Sequence, residues 1–330
     1  MASILVTGGA GYIGSHVVRQ LGGRGERIVV LDNLSTGFAD AVLYGDLVRG
    51  DVGDRELVSR VLRDHEVDTV MHFAARTIVP ESVADPLRYY ENNTAQTRNL
   101  LQACQDQGVE QFVFSSTAAV YGMPPGGVAS EHSPTDPINP YGTSKLMSEW
   151  MLRDVAASGR LRAVVLRYFN VAGCDPAGRI GQCTPNATLL IKVLSELAMG
   201  KRSEVKLFGT DYDTRDGTCI RDYIHVEDLA DAHLRSLDYL RGGGTSETMN
   251  CGYGQGFTVR EVIDAVEKNL NTRLNIVETD RRPGDPPELI ARAERIREVL
   301  HWEPQFDDLE AIVSSALAWE QKLSQRQKLA

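Results

Sequence analysis

The amino-acid sequence predicts an α/β protein: a doubly wound parallel sheet followed by a smaller C-terminal α/β lobe. Three observations carry this. Short β-branched runs alternate with amphipathic helical stretches, the first run feeds a glycine-rich turn that opens a helix, and the runs are almost continuously apolar. Strands of that kind suit a sheet covered by helices on both faces.

Residues 4–6, 28–31, 69–73, 111–115 and 163–167 read as strands, and their spacing of roughly 15 to 30 residues suits parallel βα units. The first runs into Gly8-Gly9-Ala10-Gly11-Tyr12-Ile13-Gly14, with a helix expected from near Ser15. Glycines here permit a tight strand-to-helix turn, close approach of backbone N–H groups to a pyrophosphate, and close packing of helix on sheet. Alone the string describes any glycine-rich turn; the strand before it and the helix after it give it weight. Asp32 closes the second strand. A carboxylate there binds both ribose hydroxyls and repels a 2′-phosphate, which favours NAD over NADP, although an Asp in Leu31-Asp32-Asn33 also suits an ordinary loop.

Beyond about residue 170 the rhythm changes. Loop chemistry fills 173–185, a helix is expected near 189–199, and 209–218 is irregular. Residues 246–253 read as a further strand and 259–270 as a helix, before 281–287 and a terminal helix. A dinucleotide-binding Rossmann domain is therefore expected over 1–170 plus a returning segment near 220–260. A discontinuous second domain is expected within 171–330.

With 42% hydrophobic and 24% charged residues in 330, the composition is that of a soluble globular protein. A formal net charge of −10 argues against a nucleic-acid partner and against an anionic membrane surface. The five cysteines lack CxxC spacing and suit reduced, packed thiols. With no leader-like start and no spanning apolar run, a cytoplasmic protein is expected. The seven His show no metal-ligand spacing, so no metal is expected; His72 and His225, inside apolar runs, are expected to be packed and hydrogen-bonded.

The chemistry is signalled by Tyr141-Gly142-Thr143-Ser144-Lys145. On a helix, i and i+4 side chains share a face, so the ammonium can sit by the phenol and favour its ionised form. Eleven Tyr and seven Lys in 330 positions give about 0.2 such pairs by chance. This is the only one, and it lies downstream of the glycine-rich turn.

Further blocks make the chain recognisable: Asp68-Thr69-Val70-Met71-His72-Phe73-Ala74-Ala75, Tyr89-Tyr90-Glu91-Asn92-Asn93, Phe114-Ser115-Ser116-Thr117-Ala118-Ala119-Val120-Tyr121-Gly122, Leu166-Arg167-Tyr168-Phe169-Asn170, Gly217-Thr218-Cys219-Ile220-Arg221-Asp222-Tyr223-Ile224-His225-Val226, and Arg281-Arg282-Pro283-Gly284-Asp285. Together with the glycine turn and Leu31-Asp32-Asn33-Leu34 they resemble the extended short-chain dehydrogenase/reductase family, in its nucleotide-sugar 4-epimerase branch, over essentially the whole length.

The resemblance implies that NAD is held by Gly8, Gly11, Tyr12, Ile13 and Gly14, by Asp32 and Asn33 at the ribose, by Asp51 and Val52 near adenine, and by Phe73, Ala74, Ala75, Asn92, Thr117, Tyr141, Lys145 and Phe169 on the nicotinamide side. It implies a UDP-sugar bound by Asn170, Phe208, Arg221, Arg282, Asp285 and Leu289 beside Thr117 and Tyr141. Two guanidiniums suit a diphosphate, since each presents a rigid fork of donors. The implied reaction interconverts UDP-galactose and UDP-glucose through a 4-keto sugar and transient reduction of tightly bound NAD. Tyr141 is the proton carrier, Thr117 bonds the same oxygen, and Lys145 tunes the phenol.

Related 4,6-dehydratases and UDP-glucuronate decarboxylases carry acidic groups where this chain has Ala118 and Ala119, so both activities are disfavoured. Leu189 stands where many epimerases have Asn or His. Leu289 stands at a gate that is Tyr in some members and small in others, which leaves UDP-GlcNAc and UDP-GalNAc open. The rivals are an NAD(P)-dependent dehydrogenase or reductase of the same superfamily and a non-catalytic NAD sensor; sensors of that kind lack the Tyr or Lys present here. The helices near 94–103 and 146–155 suit a homodimer, though an internal core would read the same.

Overall fold

The computed structural model describes residues 2–282 and 284–329. Seven strands, β1 (Ser3–Thr7), β2 (Ile28–Asp32), β3 (Asp46–Arg49), β4 (Val67–His72), β5 (Gln111–Ser115), β6 (Arg162–Tyr168) and β7 (Glu247–Cys251), form one sheet in the order β7-β6-β5-β4-β1-β2-β3. All pairings are parallel, with Ile4 against Ile28 on one side of β1 and against Thr69 on the other. The strand order reverses between β1 and β4. In a doubly wound sheet a ligand crevice opens at that point, outside the carboxyl ends of the strands.

Alternation along the strands divides the core into two layers. Ile4, Val6, Met71 and Val113 pack on one face with Val17, Val18 and Leu21 of helix α1 (Tyr12–Gly23). Leu5, Val70 and Phe112 point the other way, among Leu100, Leu101 and Cys104 of helix α2 (Gln96–Gln107). α1 begins at Tyr12, three residues earlier than expected from the sequence, because the extended Gly11 serves as its cap and Tyr12, Ile13 and Gly14 form its first turn. The sequence reading also passed over β3: a four-residue edge strand with exposed charges at both ends carries almost no apolar pattern.

Residues Asn170–Ala172, Ile220–His225, Gly256–Thr258, Glu288–Ala291 and Val128–Ala129 form a second, smaller sheet. Arg221 is paired there with Leu289, and Tyr223 with Asn170. Buried Asp222 ties the layer together by accepting the backbone N–H groups of Tyr253 (3.1 Å), Gly254 (2.9 Å) and Ala291 (3.2 Å). Burial pushes its carboxyl up to about 6 against those three donors. Val205–Phe208 pairs with Ile276–Thr279 beyond it.

His72 and His225 are packed and hydrogen-bonded, as expected. His72 lies between Thr7 Oγ1 (2.6 Å) and Thr97 Oγ1 (2.9 Å). His225 Nδ1 accepts the Glu227 N–H at 3.1 Å, and its Nε2 meets Ser315 Oγ at 3.0 Å. Among the described residues no helix is long and apolar enough to cross a membrane, and no cluster of His, Cys, Asp and Glu is suited to a metal.

Candidate active site

A cleft of about 390 Å³ opens at the β1/β4 switch point, within the range of small-molecule sites. Its floor is the glycine-rich turn: Gly8, Gly11, Tyr12, Ile13 and Gly14 all line it. A Cβ on Gly14 would lie 2.3 Å from the Gly8 carbonyl oxygen, so a side chain there would force the first turn of α1 off the strand. Keeping that approach leaves the N-terminal amides of a twelve-residue helix facing the cleft, a favourable place for phosphate.

Asp32 lines the same end. Its Oδ2 accepts the Ala10 N–H at 3.0 Å and its Oδ1 the Leu34 N–H at 2.8 Å, which fixes the carboxylate plane. Asn33 and Val52 line the cleft beside it. Asp51 stands behind them, its Oδ2 accepting Asn33 Nδ2 at 3.0 Å and its Oδ1 the Gly53 N–H at 2.8 Å. Glycines that admit phosphate oxygens, helix amides and an anchored carboxylate a strand away fit NAD.

The opposite end holds the reactive side chains. Helix α3 (Pro140–Ala157) starts at Asn139, whose side chain accepts the Gly142 N–H at 2.9 Å, with Pro140 in the first turn. This places Tyr141 and Lys145 on one face, both buried and both lining the cleft. Gly142 lets α3 approach the turn Ala118–Tyr121; a Cβ there would lie 2.5 Å from the Ala119 carbonyl oxygen. The Tyr141 ring is met edge-on by Tyr89 at 6.5 Å.

Burial raises the proton affinity of Tyr141, while hydrogen bonds from Thr117 and Tyr168 lower it. Thr117 Oγ1 accepts the Ala119 N–H at 3.1 Å, which fixes the hydroxyl at the start of the turn Ala118–Tyr121. Lys145 faces the Phe114 ring, with Nζ 4.3 Å from the centroid. Burial lowers its pKa to about 7, with Glu149 opposing. Glu149 itself is taken up by Arg167, at 2.6 Å from Nη2.

Phe73, Ala74, Ala75, Asn92, Phe169 and Asn170 complete the wall, and Arg221 and Leu289 reach in from the small sheet. Arg221 Nη2 donates to Asp285 Oδ1 at 3.0 Å. Arg282 lies over the Phe208 ring at 4.2 Å. Asp285, Arg282 and Phe208 are not among the cleft-lining residues, and Asp285 is tied to the cleft through Arg221; Pro283 in the same block lies outside the described residues. Leu189 caps helix Leu190–Ala198 and lines the cleft.

Tyr168, Gln96 and Arg76 are among the lining residues that the sequence alone did not single out. Tyr168 meets the cleft from the end of β6. Gln96 accepts from Asn92 Nδ2 at 3.0 Å, through the π-turn Tyr90–Ala95 that enters α2. Arg76 adds a cation, its Nη1 3.4 Å from Glu81 Oε1. Of these, Tyr168 carried a signal, as the tyrosine of the recognisable block Leu166-Arg167-Tyr168-Phe169-Asn170.

The model of the NAD dependent epimerase/dehydratase family matches residues 4–252. The chain belongs to this family. Among relatives, it is 58% identical over 323 residues to the UDP-glucose 4-epimerase of Azospirillum brasilense, which covers 98% of this chain and 93% of the relative. The crystal structure of UDP-glucose 4-epimerase from Brucella ovis in complex with NAD is 40% identical, with a TM-score of 0.94 over 96% of this chain and 98% of that one. The UDP-Glc/GlcNAc 4-epimerase from Campylobacter jejuni is 48% identical, with a TM-score of 0.86 over 98% of this chain and all (100%) of that one. Of the two chemistries in the family's name, dehydration needs acid and base groups at the sugar, and this member presents the methyl groups of Ala118 and Ala119 to the cleft.

Proposed function

We propose that this protein is a nucleotide-sugar 4-epimerase that interconverts UDP-galactose and UDP-glucose while retaining NAD. The observation that carries this reading is the meeting of the Tyr141 and Thr117 hydroxyls between a dinucleotide cradle and Arg221, with only methyl groups at Ala118 and Ala119. Epimerisation at C4 needs one proton carrier and no second acid.

Bound NAD supplies an acceptor that takes the C4 hydride and returns it. Tyr141 removes the proton of the 4-hydroxyl and later gives it back, and Thr117 bonds that oxygen throughout. Lys145, a buried amine whose nearest carboxylate is committed to Arg167, is suited to the nicotinamide-ribose hydroxyls. Gly8, Gly11, Tyr12, Ile13 and Gly14 serve the pyrophosphate, Asp32 and Asn33 the adenosine ribose, Asp51 and Val52 the adenine edge. Phe73, Ala74, Ala75, Asn92 and Phe169 bound the nicotinamide.

Arg221 and Arg282 take the diphosphate of the UDP-sugar, with Asn170, Phe208, Asp285 and Leu289 around it. The diphosphate competes with Asp285 for Arg221, so a like-charged carboxylate gives way to a better-matched anion. UDP-GlcNAc belongs to the substrate range in this reading, because Leu289 at the gate is shorter than Tyr and the similar Campylobacter protein is a UDP-Glc/GlcNAc epimerase.

The protein works as a cytoplasmic homodimer in this reading, with no membrane or nucleic-acid partner. Trp150 on α3, 46% exposed, and Leu87, 77% exposed, give apolar surface for a partner subunit. The test is to incubate purified protein with UDP-galactose, without added cofactor, and separate the products by chromatography. UDP-glucose from wild type and none from Tyr141→Phe is expected. No product from wild type, even with NAD added, would overturn the assignment; UDP-GlcNAc in the same assay reads the sugar range.

A further inference from the structure

Lys145 is buried in the cleft wall and makes no hydrogen bond among the described residues; its ammonium rests over Phe114. A carboxylate stands one turn further along α3 on the same face, that of Glu149. It is held elsewhere. Arg167, next to last in β6, grips both of its oxygens: Nη2 donates to Oε2 at 2.6 Å, and Nε reaches Oε1 at 3.1 Å and Oε2 at 3.2 Å. Ser116, just past β5, donates to Oε1 as well. Arg167 is fixed in turn from its other side. Its Nη1 donates to the Tyr121 hydroxyl at 3.0 Å, which donates to Asn250 Oδ1 of β7 at 2.6 Å. Asn250 Nδ2 then donates to the Ala129 and Arg292 carbonyls at 2.9 and 3.2 Å. Glu149 and Arg167 are both buried.

We propose that Arg167 is a positioning residue for Lys145: by occupying both oxygens of Glu149 it denies Lys145 the carboxylate one turn away and leaves the ammonium free to serve the cleft beside Tyr141. Carboxylate and ammonium at i and i+4 of a helix are within reach of one another. A buried carboxylate that loses its partner is strongly driven to find another cation, and on this face of α3 that cation is Lys145. An ammonium drawn to Glu149 would no longer favour the ionised phenol of Tyr141. The other titratable groups around Lys145 offer it no charge: burial keeps His72 of β4 and His233 of helix Val226–Arg241 neutral near pH 7, and keeps the Tyr168 phenol protonated.

The experiment compares wild type, Arg167→Met, Arg167→Lys and the double variant Arg167→Met/Glu149→Gln. Carbon-13 at the lysine Cε positions reads the Lys145 titration directly by NMR, with Lys145→Met assigning its signal. The pH profile of kcat for UDP-galactose reads the consequence at Tyr141, and this arm alone rests on the epimerase reading. Arg167→Met should raise the Lys145 titration by about one unit, because Glu149 then pairs with it. The rising limb of kcat should move to higher pH, with turnover about tenfold lower near neutrality. Arg167→Lys keeps the charge but lacks the fork, so it should shift both in the same direction by less. The double variant has no carboxylate to release and should return both toward wild type. A Lys145 titration unmoved in Arg167→Met, or a double variant no nearer wild type than the single one, would overturn the proposal. Where Arg167→Met does not fold, Arg167→Lys decides: an unmoved Lys145 titration in it overturns the proposal. If wild type turns over no nucleotide sugar, the epimerase reading fails, and the lysine titration still decides the role of Arg167.

Discussion

Removing the Tyr141 hydroxyl changes the reacting atom and little else, since the ring is clamped edge-on by Tyr89 and the helix around it is capped by Asn139. Tyr141→Phe should therefore keep its fold and its NAD content while kcat falls by about 10²- to 10⁴-fold, the range for losing a proton carrier. Turnover alongside cofactor content after denaturation checks this, and loss of NAD together with activity would point to a structural role. Tyr141 and Lys145 were legible in the sequence because helical periodicity alone puts them on one face. The Arg221–Leu289 neighbourhood was not, because it depends on the register between Ile220–His225 and Glu288–Ala291, whose paired residues lie 68 positions apart and whose pairing no local pattern encodes. Tyr168 escaped for the same reason: its place at the cleft with Tyr141 exists only once β5 and β6 end at one rim.

Single elements place these groups to within fractions of an ångström, and α3 is the most sensitive. Gly142 sits 2.5 Å, measured from a hypothetical Cβ, from the Ala119 carbonyl oxygen. Gly142→Ala should push α3 away from the turn that carries Thr117. A displacement on the order of 1 Å at the reacting centre costs about a hundredfold in rate, and the expected result is a kcat loss of at least tenfold with KM little changed. Steady-state kinetics check it, and wild-type kcat would show that the turn yields instead. Loss of the α3 cap in Asn139→Ala should lower stability by about 1 kcal/mol, read by denaturant unfolding. The core strands were legible because each is an apolar run bounded by turn chemistry. Edge strand β3 and the two- to four-residue strands of the small sheet were not, since their backbone pairing is imposed by neighbours rather than by their own pattern.

For the whole molecule, the largest pH effect comes from imidazoles that fold traps in the neutral form. Burial lowers His72 to about 3 and His225 and His233 to about 4, from 6.5. The unfolded chain therefore binds more protons than the folded one between 6.5 and those values, and their contribution to stability, complete above pH 6.5, is lost as pH falls. Asp222 runs the other way. Raised from 3.8 to about 6, it is protonated in the folded state first, so acidification between 6 and 3.8 favours folding by one proton. His16, shifted down by burial, and Asp228, shifted up by burial, oppose one another in the same manner. Three imidazoles against one carboxyl leave a net excess of about two protons on the unfolded chain, which corresponds to about 3 kcal/mol of stability lost per pH unit between 6 and 4. Calorimetry at steps from pH 7 to 4 should show Tm falling steeply below 6.5. His233→Gln should flatten that slope by about one third to one half even where it lowers Tm at pH 7, because it removes one titrating group from the balance. A Tm independent of pH across this interval would mean that the imidazoles gain protons within the fold, with water or a carboxylate reaching them, and that the core between β4, α1 and helix Val226–Arg241 is less closed than its burial indicates.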